Sequence, residues 1–268
     1  MTYVYKWEIL KLLAQKRTYL GIGTAMLVPT VFVVVLLTQS GGPNDIPIGR
    51  YIRQTGLATP LVVLFFMSIW AFPLLTALVA GDIVASESQN GTLKTILTRS
   101  RNRGEIYAGK VLASFTYAAV ILLAMGVVGT FAAGLAWGFD PLTSLSGTTV
   151  SFPRGLGLVA ASLGVYLWPM IGIAAFGMML STITRNSAAA VVGTLMWALF
   201  MQLLGVLPGT EPIRPYLLGT QFNAWNGFLR TPTDWVPIVR ALWVCAIYAG
   251  IPLAVGYVIF LRRDVAGE

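Results

Sequence analysis

The sequence predicts an all-α polytopic membrane protein with six transmembrane helices, and three observations predict it. Hydrophobic residues make up 56% of the 268 residues, charged residues only 10%, and the mean hydropathy is +0.76. A soluble domain of this size needs far more polar surface than that composition supplies. Six uncharged apolar runs divide the chain, the first beginning at Thr18 and the last ending at Leu261, and each holds the roughly 20 apolar residues that a spanning helix requires. The runs are also apolar on every face, whereas the strands of a β-barrel would alternate apolar and polar residues.

The elements follow in order. Residues 1–17 are expected to form a cytoplasmic interfacial helix, with Glu8, Lys11 and Gln15 on one side and Trp7, Leu10, Leu13 and Ala14 on the other. Such a helix lies along the leaflet with Tyr5 and Trp7 at headgroup depth; the plainer alternative is an extension of the first span. Residues 18–261 form the transmembrane domain, with helices near 18–38, 57–80, 107–137, 156–183, 187–207 and 239–261, and 262–268 form a tail. The first run is too long for a signal-peptide core and lacks an A-x-A site, so it reads as an uncleaved first helix. Six spans put both termini on one side of the membrane.

Twelve Lys and Arg residues fall on that side: Lys6, Lys11, Lys16, Arg17, Lys94, Arg99, Arg101, Arg103, Lys110, Arg185, Arg262 and Arg263. Six fall on the other: Arg50, Arg53, Arg154, Arg214, Arg230 and Arg240. The excess makes the termini cytoplasmic. It also accounts for the net charge of +8 as topology and attraction to membrane lipids, with no nucleic-acid partner needed. The outer connections are rich in Gly and Pro, at 40–47, 139–153 and 208–237. The longest carries Tyr216, Phe222, Trp225, Phe228 and Trp235, either as a segment dipping into the leaflet or capping an exit path, or as an ordinary aromatic belt. No motif repeats at a fixed offset, so inverted-repeat carriers gain no support.

Several chemistries lack their residues. There is no His and a single Cys, Cys245, in the sixth helix, so no catalytic metal site or internal disulfide is expected. The span interiors hold no proton-relay groups. Ser68, Ser114, Ser162 and Ser181 lack a base and read as packing residues. Residues 104–110 match G-x-x-x-x-G-K, but Val111 stands where a phosphate loop needs Ser or Thr, and no strand precedes it. The chain is therefore expected to be no enzyme and to bind no cofactor itself. Asn90-Gly91-Thr92 fits a glycosylation acceptor but lies on the cytoplasmic side.

The informative segment is the basic loop 82–110. Its first part closes on an Asn-Gly turn and predicts a short helix. Its second places Leu93, Ile96 and Leu97 on one face with Lys94, Thr98 and Arg101 elsewhere, a small amphipathic element. Charge alone would make this a solvated positive-inside loop; two amphipathic pieces suggest a docking surface.

The pattern Glu87-x-x-x-Gly91-Thr92-Leu93, then Leu97, Arg103 and Gly109-Lys110, in the first cytoplasmic loop of a six-helix chain, resembles the ABC transporter permeases of the type 2 exporter class. That class includes drug-, bacitracin- and daunorubicin-resistance permeases and the copper-site assembly permease of denitrifiers. Members often carry a Pro before the Ser/Thr-x-Arg step, whereas this chain reads Arg99-Ser100-Arg101-Asn102-Arg103. The resemblance implies a multi-pass permease of a bacterial plasma membrane, paired with a second permease chain and two cytosolic ATPase subunits that bind the ATP and magnesium. It implies a coupling interface of Glu87, Gly91, Thr92, Leu93, Leu97 and Arg103. It further implies a substrate path between helices one, two and five, where Phe66, Met67, Trp70, Met196, Phe200 and Met201 offer apolar surface, although residues at such spacing more often pack than bind. An uncharged path suits an amphiphilic or lipid-like molecule better than a small ion. Gly134 and Gly138 form a G-x-x-x-G pair suited to close helix approach. Two alternatives remain: a membrane scaffold or sensor that docks a cytosolic partner through 82–110, and a lipid-modifying transferase.

Overall fold

The computed structural model describes residues 2–38, 49–92 and 102–262. Its helices are α1 (Thr2–Leu13), α2 (Lys16–Thr38), α3 (Ala58–Ile69), α4 (Ala71–Ala80), α5 (Ala85–Gln89), α6 (Arg103–Trp137), α7 (Phe152–Thr184), α8 (Ser187–Val206), α9 (Leu218–Gln221) and α10 (Trp235–Arg262). Five of them, α2, α6, α7, α8 and α10, are long and apolar enough to cross a membrane. The second expected span, near 57–80, is not one helix. It is the pair α3 and α4, bent by 62° at Trp70. The expected connection at 40–47, the amphipathic element over 93–97 and residues 263–268 lie outside the described residues.

Local chemistry sets the helix ends. The Asn102 side chain accepts from the Gly104 N–H at 3.0 Å, so α6 starts at Arg103, four residues before the expected 107. Asn186 does the same for the start of α8, accepting from the Ala189 N–H at 3.1 Å. Pro153, in the first turn of α7, supplies a preset φ and loses no helical hydrogen bond there. Gly138 closes α6 at φ 80°, which an L side chain rarely adopts.

The bundle is built around α7, the most buried of the long helices. α10 packs along it, and α6 packs against both α7 and α2. On α2 the residues Gly21, Ala25, Pro29, Val33 and Leu36 are buried at helical spacing, while Leu20, Leu27, Val31 and Val34 point outward. The α8 helix is the least buried, with 17% of its apolar window covered. α1 packs across the start of α6, where Gly109 leaves room for Val4 and Tyr5. The Tyr5 hydroxyl reaches Thr116 Oγ1 at 2.8 Å.

At the opposite end, the 208–237 connection folds back onto the bundle as a 3-10 turn (Arg214–Tyr216), α9, and a second 3-10 turn (Ala224–Leu229). It divides the two readings of its aromatics. Phe222 and Trp225 are buried in the core, where Phe222 packs edge-on against Tyr166 and Tyr166 against Phe72, whereas Tyr216 and Trp235 face outward. A two-stranded hairpin, β1 (Leu142–Thr143) with β2 (Thr149–Val150), lies beside it. The Leu145 N–H donates to the Leu229 carbonyl at 2.8 Å.

The Gly134 and Gly138 pair does admit a close approach, but to this chain's own backbone. Gly56 sits against it, its N–H donating to the Gly138 carbonyl at 3.0 Å. A Cβ on Gly56 would lie 2.5 Å from the Gly134 nitrogen, which cannot yield. Gly56→Ala is therefore expected to destabilise by about 1–3 kcal/mol, the range for overpacking. Gly23→Ala, which meets nothing within 4 Å, is the neutral control. Thermal unfolding in detergent measures both.

Candidate functional site

The segment from 82 to 92 is too short to hold a shape by itself, since an isolated helix of five residues is unstable. Tertiary contacts hold it. Ser181 on α7 accepts from the N–H groups of Val84 at 3.1 Å and Ala85 at 2.9 Å, and so caps α5 from another helix. Ile83, Val84 and Ala85 are buried beneath it. Gly91 turns the chain at φ 70°, and the Thr92 hydroxyl donates back to the Glu87 carbonyl at 3.2 Å. Gln89, Asn90, Gly91 and Thr92 are left exposed.

Four charges fasten α5 to the rest of the molecule. The Lys110 ammonium on α6 is fully buried and lies 3.1 Å from Glu8 Oε2, 2.7 Å from Glu87 Oε2 and 3.2 Å from the Ile83 carbonyl. Lys11 closes the other side, donating to Glu8 Oε1 at 2.8 Å and Glu87 Oε1 at 2.6 Å. Two lysines and two glutamates thus alternate around a ring that joins α1, α5 and α6. The ring is neutral as a whole, and that is what makes its burial tolerable. Burial alone would pull the Lys11 ammonium down and push the Glu87 carboxyl up. The partners outweigh it, so Lys11 is held above its usual 10.5 and Glu87 below its usual 4.5.

A second anchor lies one turn earlier. Asp82 is buried, pairs with Arg17 at the start of α2, and accepts from the Ser187 hydroxyl at the start of α8. Arg103 serves a third junction, donating to the Leu261 carbonyl at 3.0 Å and so tying the start of α6 to the end of α10.

The expected site residues separate accordingly. Glu87, expected as a charged contact for a partner, has its carboxylate engaged by Lys11 and Lys110, while Gly91 and Thr92 are exposed beside it. Leu93 and Leu97 lie outside the described residues. Of the expected path residues, Met67 is buried in the core and Met201 is half-buried near the Tyr248 hydroxyl, while Phe66, Trp70, Met196 and Phe200 face outward. The residues 104–110 form the opening turns of α6, and its lysine belongs to the charge ring. Sequence reasoning missed Glu8, Lys11, Lys110, Asp82 and Ser181, and the usable signal was the carboxylate Glu8 on a helix beside an otherwise apolar chain.

Fold and site together define a helical membrane protein with five to six candidate spans that presents a braced short helix at the end carrying α1. The chain belongs to the protein family of unknown function DUF2705, whose pattern matches residues 31–266. A comparison with curated proteins returns no match.

Removing one member of a buried ion network leaves another charge uncompensated, at a cost of about 3–5 kcal/mol. Lys110→Met is thus expected to lower the melting temperature sharply, and Lys110→Met combined with Glu87→Gln to recover part of the loss. The ring also has a pH window. The Glu87 contribution is present above pH 4.5 and lost as pH falls through its lowered pKa; that of Lys11 is present below pH 10.5 and lost as pH rises through its raised one. A spin-label distance between α1 and α5 is expected to stay constant between those limits and to broaden beyond them.

Proposed function

We propose that the chain is the membrane-spanning permease subunit of an ATP-driven exporter of the type 2 ABC class. One observation carries this reading: a short helix, α5, fixed rigidly by Ser181 and a buried charge ring, presents Gln89, Asn90, Gly91 and Thr92 outward at the basic end of the bundle. A rigid projection there is what a cytosolic ATPase would need to push against, because a soft loop would absorb the movement. Glu87 then acts by positioning the helix, and the exposed turn makes the contact.

In this reading both termini and α5 are cytoplasmic, and the membrane is a bacterial plasma membrane. The exposed stripe of Tyr3, Trp7, Leu10 and Leu13 on α1 lies in the inner leaflet, with the charged side of α1 turned into the protein. The outward apolar faces of α2 and α8 meet lipid and a second permease chain. The cargo is amphiphilic and passes Phe66, Trp70, Met196 and Phe200, and the ATP and magnesium are held by the partner ATPases.

The test is mild-detergent purification of the full tagged chain from its host, with identification of what co-purifies and measurement of ATP hydrolysis after reconstitution. An ATPase with a complete phosphate loop is expected. Replacing Gln89 and Asn90 with Trp should abolish its recovery without changing the melting temperature. A non-hydrolysing partner that binds the same turn would make the chain a scaffold or sensor instead.

A further inference from the structure

α1 carries its paired charges on the inside. Glu8 and Lys11 point into the protein, where the charge ring holds them, and the opposite side of the helix leaves Tyr3, Trp7, Leu10 and Leu13 exposed. A helix washed by water would be turned the other way round. One cation stands on the outward side. Lys6 precedes Leu10 by one turn and Leu13 by two, so it lies within the apolar stripe, and it is exposed. The carboxylates described at this end stand elsewhere: Glu8 and Asp82 are buried, Glu87 is held by Lys11 and Lys110, and Glu105 is half-buried on α6.

The stripe continues past the turn into α2. Lys16 is exposed at the first residue of α2, one turn before Leu20, and Leu27, Val31 and Val34 follow on the same face. That helix is long and apolar enough to cross a membrane, so its outward face meets acyl chains and its Lys16 end reaches headgroup level. Arg17, the next residue, is already engaged by Asp82 and Gln15. A lysine at such a boundary buries its methylene stem among the chains and raises its ammonium to the phosphates. Trp and Tyr settle at the same depth. Charge and continuity together select the occupant. A protein packed here would have to bring a carboxylate for each lysine, whereas an anionic leaflet supplies both charges and already runs along α2.

We infer that the outward side of α1, with the first turn of α2, is a binding site for anionic phospholipid. Lys6 and Lys16 take the headgroup phosphates, and Tyr3, Trp7, Leu10 and Leu13 lie among the upper acyl chains. The reverse side of α1 gives this binding a consequence. Glu8 neutralises Lys110, and Lys110 and Lys11 hold Glu87 on α5. Lipid that favours the seated α1 therefore favours the ring and the position of α5. The site rests on the placement of α1 against the leaflet in the reading above and needs no ATPase; only the use of a steadied α5 rests on the permease assignment.

The test uses the full chain in bilayers, with a fluorophore on Leu10→Cys; the native thiol, Cys245, is buried. Brominated phosphatidylglycerol is expected to quench the fluorophore in preference to brominated phosphatidylcholine. The preference should be on the order of 30-fold, which is what two lysines contribute beside an anionic surface, and should fall as salt is raised. Lys6→Gln combined with Lys16→Gln, both at exposed positions and with wild-type helicity as the check on folding, should bring the two lipids close to equal. Equal quenching in the wild type would overturn the site. So would a preference that survives in the double variant, which would belong to other basic residues, or an absence of quenching by either lipid, which would mean that protein covers the face. A spin label on the exposed Asn90 reads the link to α5. It is expected to be less mobile with phosphatidylglycerol than with phosphatidylcholine alone in the wild type, and alike in both for the double variant. Equal mobility in the wild type would keep the lipid site and overturn its reach to α5. If the tagged chain recovers no ATPase, the permease reading fails while the quenching still decides the lipid site.

Discussion

The arrangement depends on one lysine that never meets water. The Lys110 ammonium sits inside the protein and is balanced only while Glu8, Glu87 and the Ile83 carbonyl remain around it. The three acceptors come from α1, α5 and the strand of chain before α5, so none of these can leave without stranding a charge at low dielectric. This is why a helix of five residues has a defined position. Asp82 adds a second such constraint with Arg17 and Ser187, and Ser181 a third. Three independent attachments in one short stretch fix both the position and the direction of α5.

A neutral ring suits this location better than an apolar plug would. Hydrophobic packing is non-directional, and apolar faces can slide past one another with small changes in buried area. Alternating charges tolerate no such slip, because a displacement that lengthens one pair also brings like charges together. Stability alone does not explain the choice, since buried ion pairs often add little net energy. Positional definition does, and it is the property a contact surface for another protein requires.

The spans were legible because composition alone carries them: an uncharged apolar run has one stable solution in lipid. Their ends were less so. α6 begins four residues before the apolar run suggests, since Asn102 supplies a cap that hydropathy does not register. The charge ring was not legible, because a sequence read locally treats Glu8, Lys11 and Lys110 as solvated charges; Glu8 and Lys110 stand 102 positions apart. Counting Lys110 toward the basic face was sound as topology and silent about its burial. The resemblance drew attention to Glu87, and the fold gives that carboxylate partners inside the chain.

Proline content did not mark the break either. Pro29, Pro169 and Pro252 each lie inside a continuous helix, α2, α7 and α10, whereas Pro73 follows a 62° bend. A missing N–H is common to all four, so it cannot by itself decide the outcome. What differs is the surroundings of the preceding turn. At α3 the Gln202 amide donates to the Ser68 carbonyl, one of the last-turn carbonyls that the break leaves without a helical partner, while the Tyr166 and Ser68 hydroxyls donate to the Leu64 and Phe65 carbonyls one turn earlier. Tyr166 and Gln202 come from helices far along the chain, so the bend is a tertiary decision. The same logic separates the two ends of α4. Its end at Asp82 is fixed by charges that lose heavily when moved, and its end at Trp70 by neutral hydrogen bonds that can be exchanged at modest cost.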